Sequence, residues 1–71
     1  MEVLTVLGFD DEELVFEAPV PATMRAAAYW LVGADADSLR GVGWPLLEAD
    51  AEALLGELPG GLRWCLEAVA E

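Results

Sequence analysis

Residues 13–18 read Glu-Leu-Val-Phe-Glu-Ala, with Leu14, Phe16 and Ala18 on one side of an extended chain and Glu13, Val15 and Glu17 on the other. A period of two fits a half-buried strand and does not fit a helix. Upstream, residues 2–8 (Glu-Val-Leu-Thr-Val-Leu-Gly) are rich in β-branched side chains and too few for a good helix. The tetrad Phe9-Asp10-Asp11-Glu12 between them is polar and turn-prone. Two such runs around such a tetrad predict an antiparallel β-hairpin with a core face and an acidic tip. Pro19-Val20-Pro21 ends the second strand, because prolines remove donors and hold the chain extended.

The middle of the chain favours helix. Ala22 to Val32 places Met24, Ala27, Ala28 and Leu31 on one stripe, with Gly33 as a C-cap. Ala34 to Gly43 reads as loop, with one turn around Ser38 to Arg40. Pro45 suits the first position of a second helix running to about Leu58, with Leu47, Ala51, Leu54, Leu55 and Leu58 as its apolar stripe. Glu48 and Glu52 flank that stripe on one side, Asp50 and Glu57 on the other, and Pro59-Gly60-Gly61 stops it. Residues 62–69 fit two patterns. Leu62, Cys65, Leu66 and Val69 make a helical face, whereas Leu62, Trp64, Leu66 and Ala68 alternate as in a strand. The Gly-Gly turn and Trp-Cys favour strand, the Leu-Glu-Ala-Val-Ala-Glu ending favours helix, and the balance tips modestly to helix. The expected fold is α+β: an N-terminal antiparallel β-hairpin packed against two or three short helices, residues 1–71 forming a single small acidic domain.

Length and apolar content pull against each other. Hydrophobic residues make up 56% of the 71, yet a chain this short buries only about 60% of the surface its unfolded form exposes. Some apolar surface should therefore be covered by a second chain, for which a homodimer is one arrangement. No run approaches the ~20 apolar residues of a membrane helix. The N-terminus, with Glu2 and no basic residue, does not read as a secretory signal. A lone Cys65 suits a reducing compartment, so a cytoplasmic location is expected.

The residues that are missing exclude much chemistry. There is no His, Lys, Asn, Gln or Ile. Without His or Lys there is no imidazole base, Schiff base or P-loop, and one Cys makes neither a disulfide nor a thiolate zinc site. Asp35-x-Asp37 resembles the start of a calcium loop, but Leu39, Arg40 and Leu46 stand where the EF-hand needs Asp or Asn, Gly and Glu. Asp35 or Asp37 reads as the cap of a helical turn. Glycosidases use paired carboxylates across a cleft, but among 14 carboxylates some pair always falls at that distance. Arg63 could lower the thiol pKa of Cys65, but carboxylates surround both and no His can activate the sulfur, so Cys65 reads as a structural thiol. Trp30, Trp44 and Trp64 read first as core, with at least one expected at the surface. The protein is not expected to be an enzyme, and no cofactor or metal is expected.

What remains is charge. Fourteen carboxylates against three arginines give a net charge of −11. Anionic lipid and bare nucleic acid would both repel such a chain, so its partners should be basic. Duplex DNA carries about one charge per 1.7 Å of axis, so eleven charges match roughly six base pairs.

In size and acidity the chain resembles the small phage-encoded inhibitors that mimic DNA, including many anti-CRISPR proteins and restriction inhibitors. The resemblance implies a non-enzymatic inhibitor that binds a basic, nucleic-acid-binding protein by placing carboxylates where phosphates would sit. It carries no residue pattern, so the candidate site comes from where the carboxylates fall in this chain. It comprises the tip cluster Asp10, Asp11, Glu12 and Glu13, then Glu17 and the helix carboxylates Glu48, Asp50 and Glu52. Their role would be to pair with Arg and Lys that otherwise hold phosphates. The alternative is a structural or regulatory subunit of a homo- or hetero-oligomer whose acidity is incidental.

Overall fold

The computed structural model describes residues 2–33 and 43–70. The expected loop from Ala34, with Asp35 and Asp37, lies outside them apart from Gly43. The chain forms β1 (Glu2–Asp10) and β2 (Glu13–Pro19), then a 3-10 turn (Ala22–Met24) leading into α1 (Arg25–Val32). After the undescribed stretch come β3 (Trp44–Leu46), α2 (Glu48–Leu55) and β4 (Arg63–Ala70). The four strands make one sheet in the order β2-β1-β4-β3, each neighbouring pair antiparallel. The architecture is α+β, with the N-terminal hairpin packed against helices.

Alternation explains where the core lies. Val6 sits opposite Ala18 on β2 and opposite Leu66 on β4. Leu4, Val6, Trp64, Leu66 and Ala68 are buried in one cluster with Val20, Ala28 of α1, and Ala51 and Leu54 of α2. Both helices therefore cover the same sheet face. The Phe16 ring meets Trp64 edge-on, with centroids 5.2 Å apart and planes at 79°, a favourable aromatic geometry. Gly8 makes room for that indole: a Cβ built there would stand 2.7 Å from Trp64 Cζ3.

Four local expectations change. Residues 63–70 form a strand, not a helix, pairing with β1 from Glu2↔Ala70 to Phe9↔Arg63. The ladder overrides a helical preference of only tenths of a kcal/mol per residue. Pro45 sits inside β3 rather than starting a helix. An edge strand tolerates it, because the missing N–H need not face a neighbouring strand. The helix accordingly starts at Glu48, leaving Leu47 as its N-cap, 72% exposed. The β1–β2 register slips between Gly8 and Phe9, so Leu14 faces Phe9 and is 48% exposed instead of joining Phe16 in the core. Such a bulge adds one residue to a strand and moves the residues beyond it off the shared face. On α1, Val32 rather than Leu31 packs on the core beside Met24 and Ala27. Gly33 does cap α1, at φ 63° and with its N–H donating to the Tyr29 carbonyl.

Candidate functional site

The acidic tip is built by the shortest hairpin loop. Asp10 and Glu13 form the last rung, and Asp11 and Glu12 make the turn. Asp11 has φ 56°, a left-handed conformation that Asp tolerates because its short side chain can bond locally. All four carboxylates are exposed. Asp10 and Glu13 stand directly opposite one another, and like charges facing across a ladder are destabilising.

The other predicted carboxylates are distributed by topology. β1 and β3 both run antiparallel to β4 and so point the same way. The hairpin tip and the start of α2 therefore lie at the same end of the sheet. Two strand spacings, about 10 Å, separate β1 from β3. Glu48, exposed in the first turn of α2, lies at this end of the sheet as well. Asp50 is half-buried in that first turn, and Glu52 is exposed further along. Glu48 and Asp50 also have a local purpose, since carboxylates at a helix N-terminus complement its dipole. Glu17 is separate from the tip. It pairs with Leu7, on the sheet face turned away from the helices.

That second face is not marked out by the carboxylate pattern of the sequence. It carries Val3, Thr5, Leu7 and Phe9 of β1, Arg63, Cys65, Glu67 and Val69 of β4, Glu17 and Pro19 of β2, and Pro45 of β3. No described helix packs on it. Two shallow depressions mark it. One of ≈ 350 Å³ is floored by Leu7, Cys65 and Pro45; one of ≈ 220 Å³ lies between Thr5, Glu17 and Val69. The Arg63 guanidinium stands over the Phe9 ring, 4.9 Å from its centroid. Cys65 is 7% exposed. Burial pushes its thiol pKa up, Arg63 opposes this and Glu67 adds to it, so the sulfur is a poor nucleophile.

A signal for this face is present in β1. Val3, Leu7 and Phe9 are as apolar as Leu4 and Val6 on the opposite side, and a run that is apolar on both sides, here broken only by Thr5, marks a strand covered on both faces. Elsewhere, Trp30 on α1 is 85% exposed. Among the described residues, no three His, Cys, Asp or Glu are placed to hold a metal ion. Nor is any helix among them long and apolar enough to cross a membrane. The arrangement is that of a small α+β protein offering an acidic end and an apolar sheet face. The chain matches no family model, no curated protein and no solved structure.

Proposed function

We propose that the protein is a non-enzymatic inhibitor that binds a basic, nucleic-acid-binding protein through an acidic, DNA-mimicking surface, in the manner of the anti-CRISPR proteins. The observation that supports this reading most is the rung Asp10↔Glu13, closed by Asp11 and Glu12. Four exposed carboxylates are held together on a rigid hairpin against their mutual repulsion. Folds break local rules of this kind at functional sites and compensate elsewhere. Glu48 extends the acidic end, with Asp50 and Glu52 behind it on α2. Arg and Lys that hold phosphates would meet these carboxylates in charge-assisted pairs.

The test is displacement. The protein is used to capture partners from lysate at low salt, and each captured protein is loaded with labelled duplex DNA. Added inhibitor should release the duplex. A variant with Asp10→Asn, Asp11→Asn, Glu12→Gln and Glu13→Gln should release far less while melting normally. Captured proteins that bind no nucleic acid, or equal release by both forms, would sink the reading. The alternative, a subunit of an oligomer with incidental acidity, draws support from the apolar sheet face and from exposed Trp30 and Leu47. Its association would persist at high salt, whereas that of a charge-based inhibitor would not.

A further inference from the structure

We infer that the sheet face opposite the helices receives an amphipathic basic helix of the partner, laid along β1. The helix would set its apolar stripe on Val3 and Val69 and across the depression floored by Leu7 and Cys65, and its cations against Glu17 and Glu67. The inference rests on the reading that the partner is a basic protein, and it says what that partner must present.

Three observations carry it. The first is the two-sided apolar character of β1. Leu4 and Val6 are buried under α1 and α2, while Val3, Leu7 and Phe9 line depressions on the other face. The second is the placement of charge. Glu17 on β2 is in register with Leu7, and Glu67 on β4 is in register with Thr5, so carboxylates stand on both sides of β1. Among the described residues neither makes an ion pair, and the cation of this face, Arg63, lies over Phe9. β2 and β4 are two strand spacings apart, about 9.5 Å, close to the ~10 Å width of an α-helix. A helix centred on β1 would thus have one carboxylate along each flank. The third is net charge. A second copy of this chain would bring −11 against −11, so the complementary occupant is cationic. Adding that helix would complete a helix–sheet–helix sandwich, a common way to bury both faces of a sheet.

The experiment titrates the full-length isotope-labelled protein with three cationic peptides and follows backbone amide shifts. The first is an 18-residue Leu/Lys peptide with Leu at i, i+3, i+4 and i+7. The second has the same composition scrambled, and the third is a lysine oligomer of equal charge. The amphipathic peptide should bind at least tenfold more tightly than either control, with shifts on Leu7, Cys65, Glu67 and Val69. The double variant Glu17→Lys/Glu67→Lys should lose at least tenfold, and the milder Glu17→Gln/Glu67→Gln a smaller part, both with unchanged thermal melts. The variant with all four tip carboxylates neutralised should bind the amphipathic peptide within about twofold of the parent. Equal binding of all three peptides, with shifts confined to residues 10–13, would overturn the face as a docking site and leave the acidic-tip reading standing. Failure of all three to bind would overturn both. Concentration-dependent dimerisation in ultracentrifugation, abolished by Val69→Asp, would make a second copy the occupant and overturn the inference.

Discussion

A methyl group at position 8 would have nowhere to go. The Trp64 ring lies 2.7 Å from where a Cβ would stand, with Leu62 and Phe16 each 3.1 Å away. Trp64 is 2% exposed, so its ring cannot swing into solvent. Gly8→Ala should therefore lower stability by about 1–3 kcal/mol, the usual cost of overpacking a core, read from urea unfolding. An unchanged midpoint would mean that the indole has slack. Its Nε1 is buried and has no hydrogen-bond partner among the described residues. Asp11 should respond the opposite way. At φ 56° Asp tolerates the left-handed conformation better than most residues but still bears part of the penalty of about 1–2 kcal/mol. Glycine lacks that penalty, and it loses some of the gain through its greater freedom when unfolded. Asp11→Gly should stabilise the domain by about 0.5–1 kcal/mol, and a lower melting temperature would refute this. Cys65 predicts a pH effect. Its thiol pKa is raised in the fold, chiefly by burial, so the unfolded chain ionises first as pH climbs past about 8.5. The thiol's contribution to stability is complete below that value and is lost as pH rises through the folded pKa. Unfolding midpoints measured from about pH 8 to 9.5 should fall more steeply in the parent than in Cys65→Ala; equal slopes would contradict it.

α2 begins without a side-chain cap. Leu47 has the extended backbone of an N-cap (φ −76°, ψ 152°), and its carbonyl accepts from the N–H groups of Asp50 and Ala51, but its side chain caps nothing. A serine hydroxyl there could accept from the Ala49 or Asp50 N–H. Leu47→Ser should add about 1 kcal/mol, measured by thermal and urea unfolding, and an unchanged or lower stability would contradict it. If another chain covers Leu47 as an anchor, partner affinity would fall in the same variant while stability rises. Elements with strong local signals are legible in the sequence. The hairpin comes from alternation around an Asp-rich turn, and the end of α1 comes from Gly33. The elements that local pattern misassigns depend on distant partners. Leu-Glu-Ala-Val-Ala-Glu favours helix against the alternation of Leu62, Trp64, Leu66 and Ala68, and pairing with β1, some sixty residues earlier, decides for the strand. β3 needs β4 for the same reason. Leu14 leaves the core through a one-residue slip in register, which alternation cannot reveal. The candidate site divides in the same way. The tip can be found because a turn displays its side chains whatever else the chain does. For the second sheet face the sequence offers only the apolar residues on both sides of β1; which side stays open is decided once the helices have chosen the other one.

At the scale of the whole molecule, charge and size set one more expectation. The fold spans 28 × 21 × 20 Å and carries a net charge of −11. The Debye length is about 30 Å at 0.01 M salt and about 3 Å at 1 M. In dilute buffer every carboxylate therefore feels every other across the whole protein, and in concentrated salt it feels only its neighbours. Self-repulsion destabilises the compact state more than the expanded one, so the free protein should melt at a higher temperature as sodium chloride is raised. Sodium chloride is the right salt, because sulfate would strengthen apolar burial and mask the effect. The complex with a basic partner should behave in the opposite sense. The carboxylates that repel within the free protein are those that attract across the interface, so added salt should weaken binding while it stabilises the unbound chain. Neutralising Asp10, Asp11, Glu12 and Glu13 should flatten both curves together. A melting temperature indifferent to salt would mean that the charges are already compensated within the fold, and an acidic end held in reserve for a cationic partner would lose its physical basis.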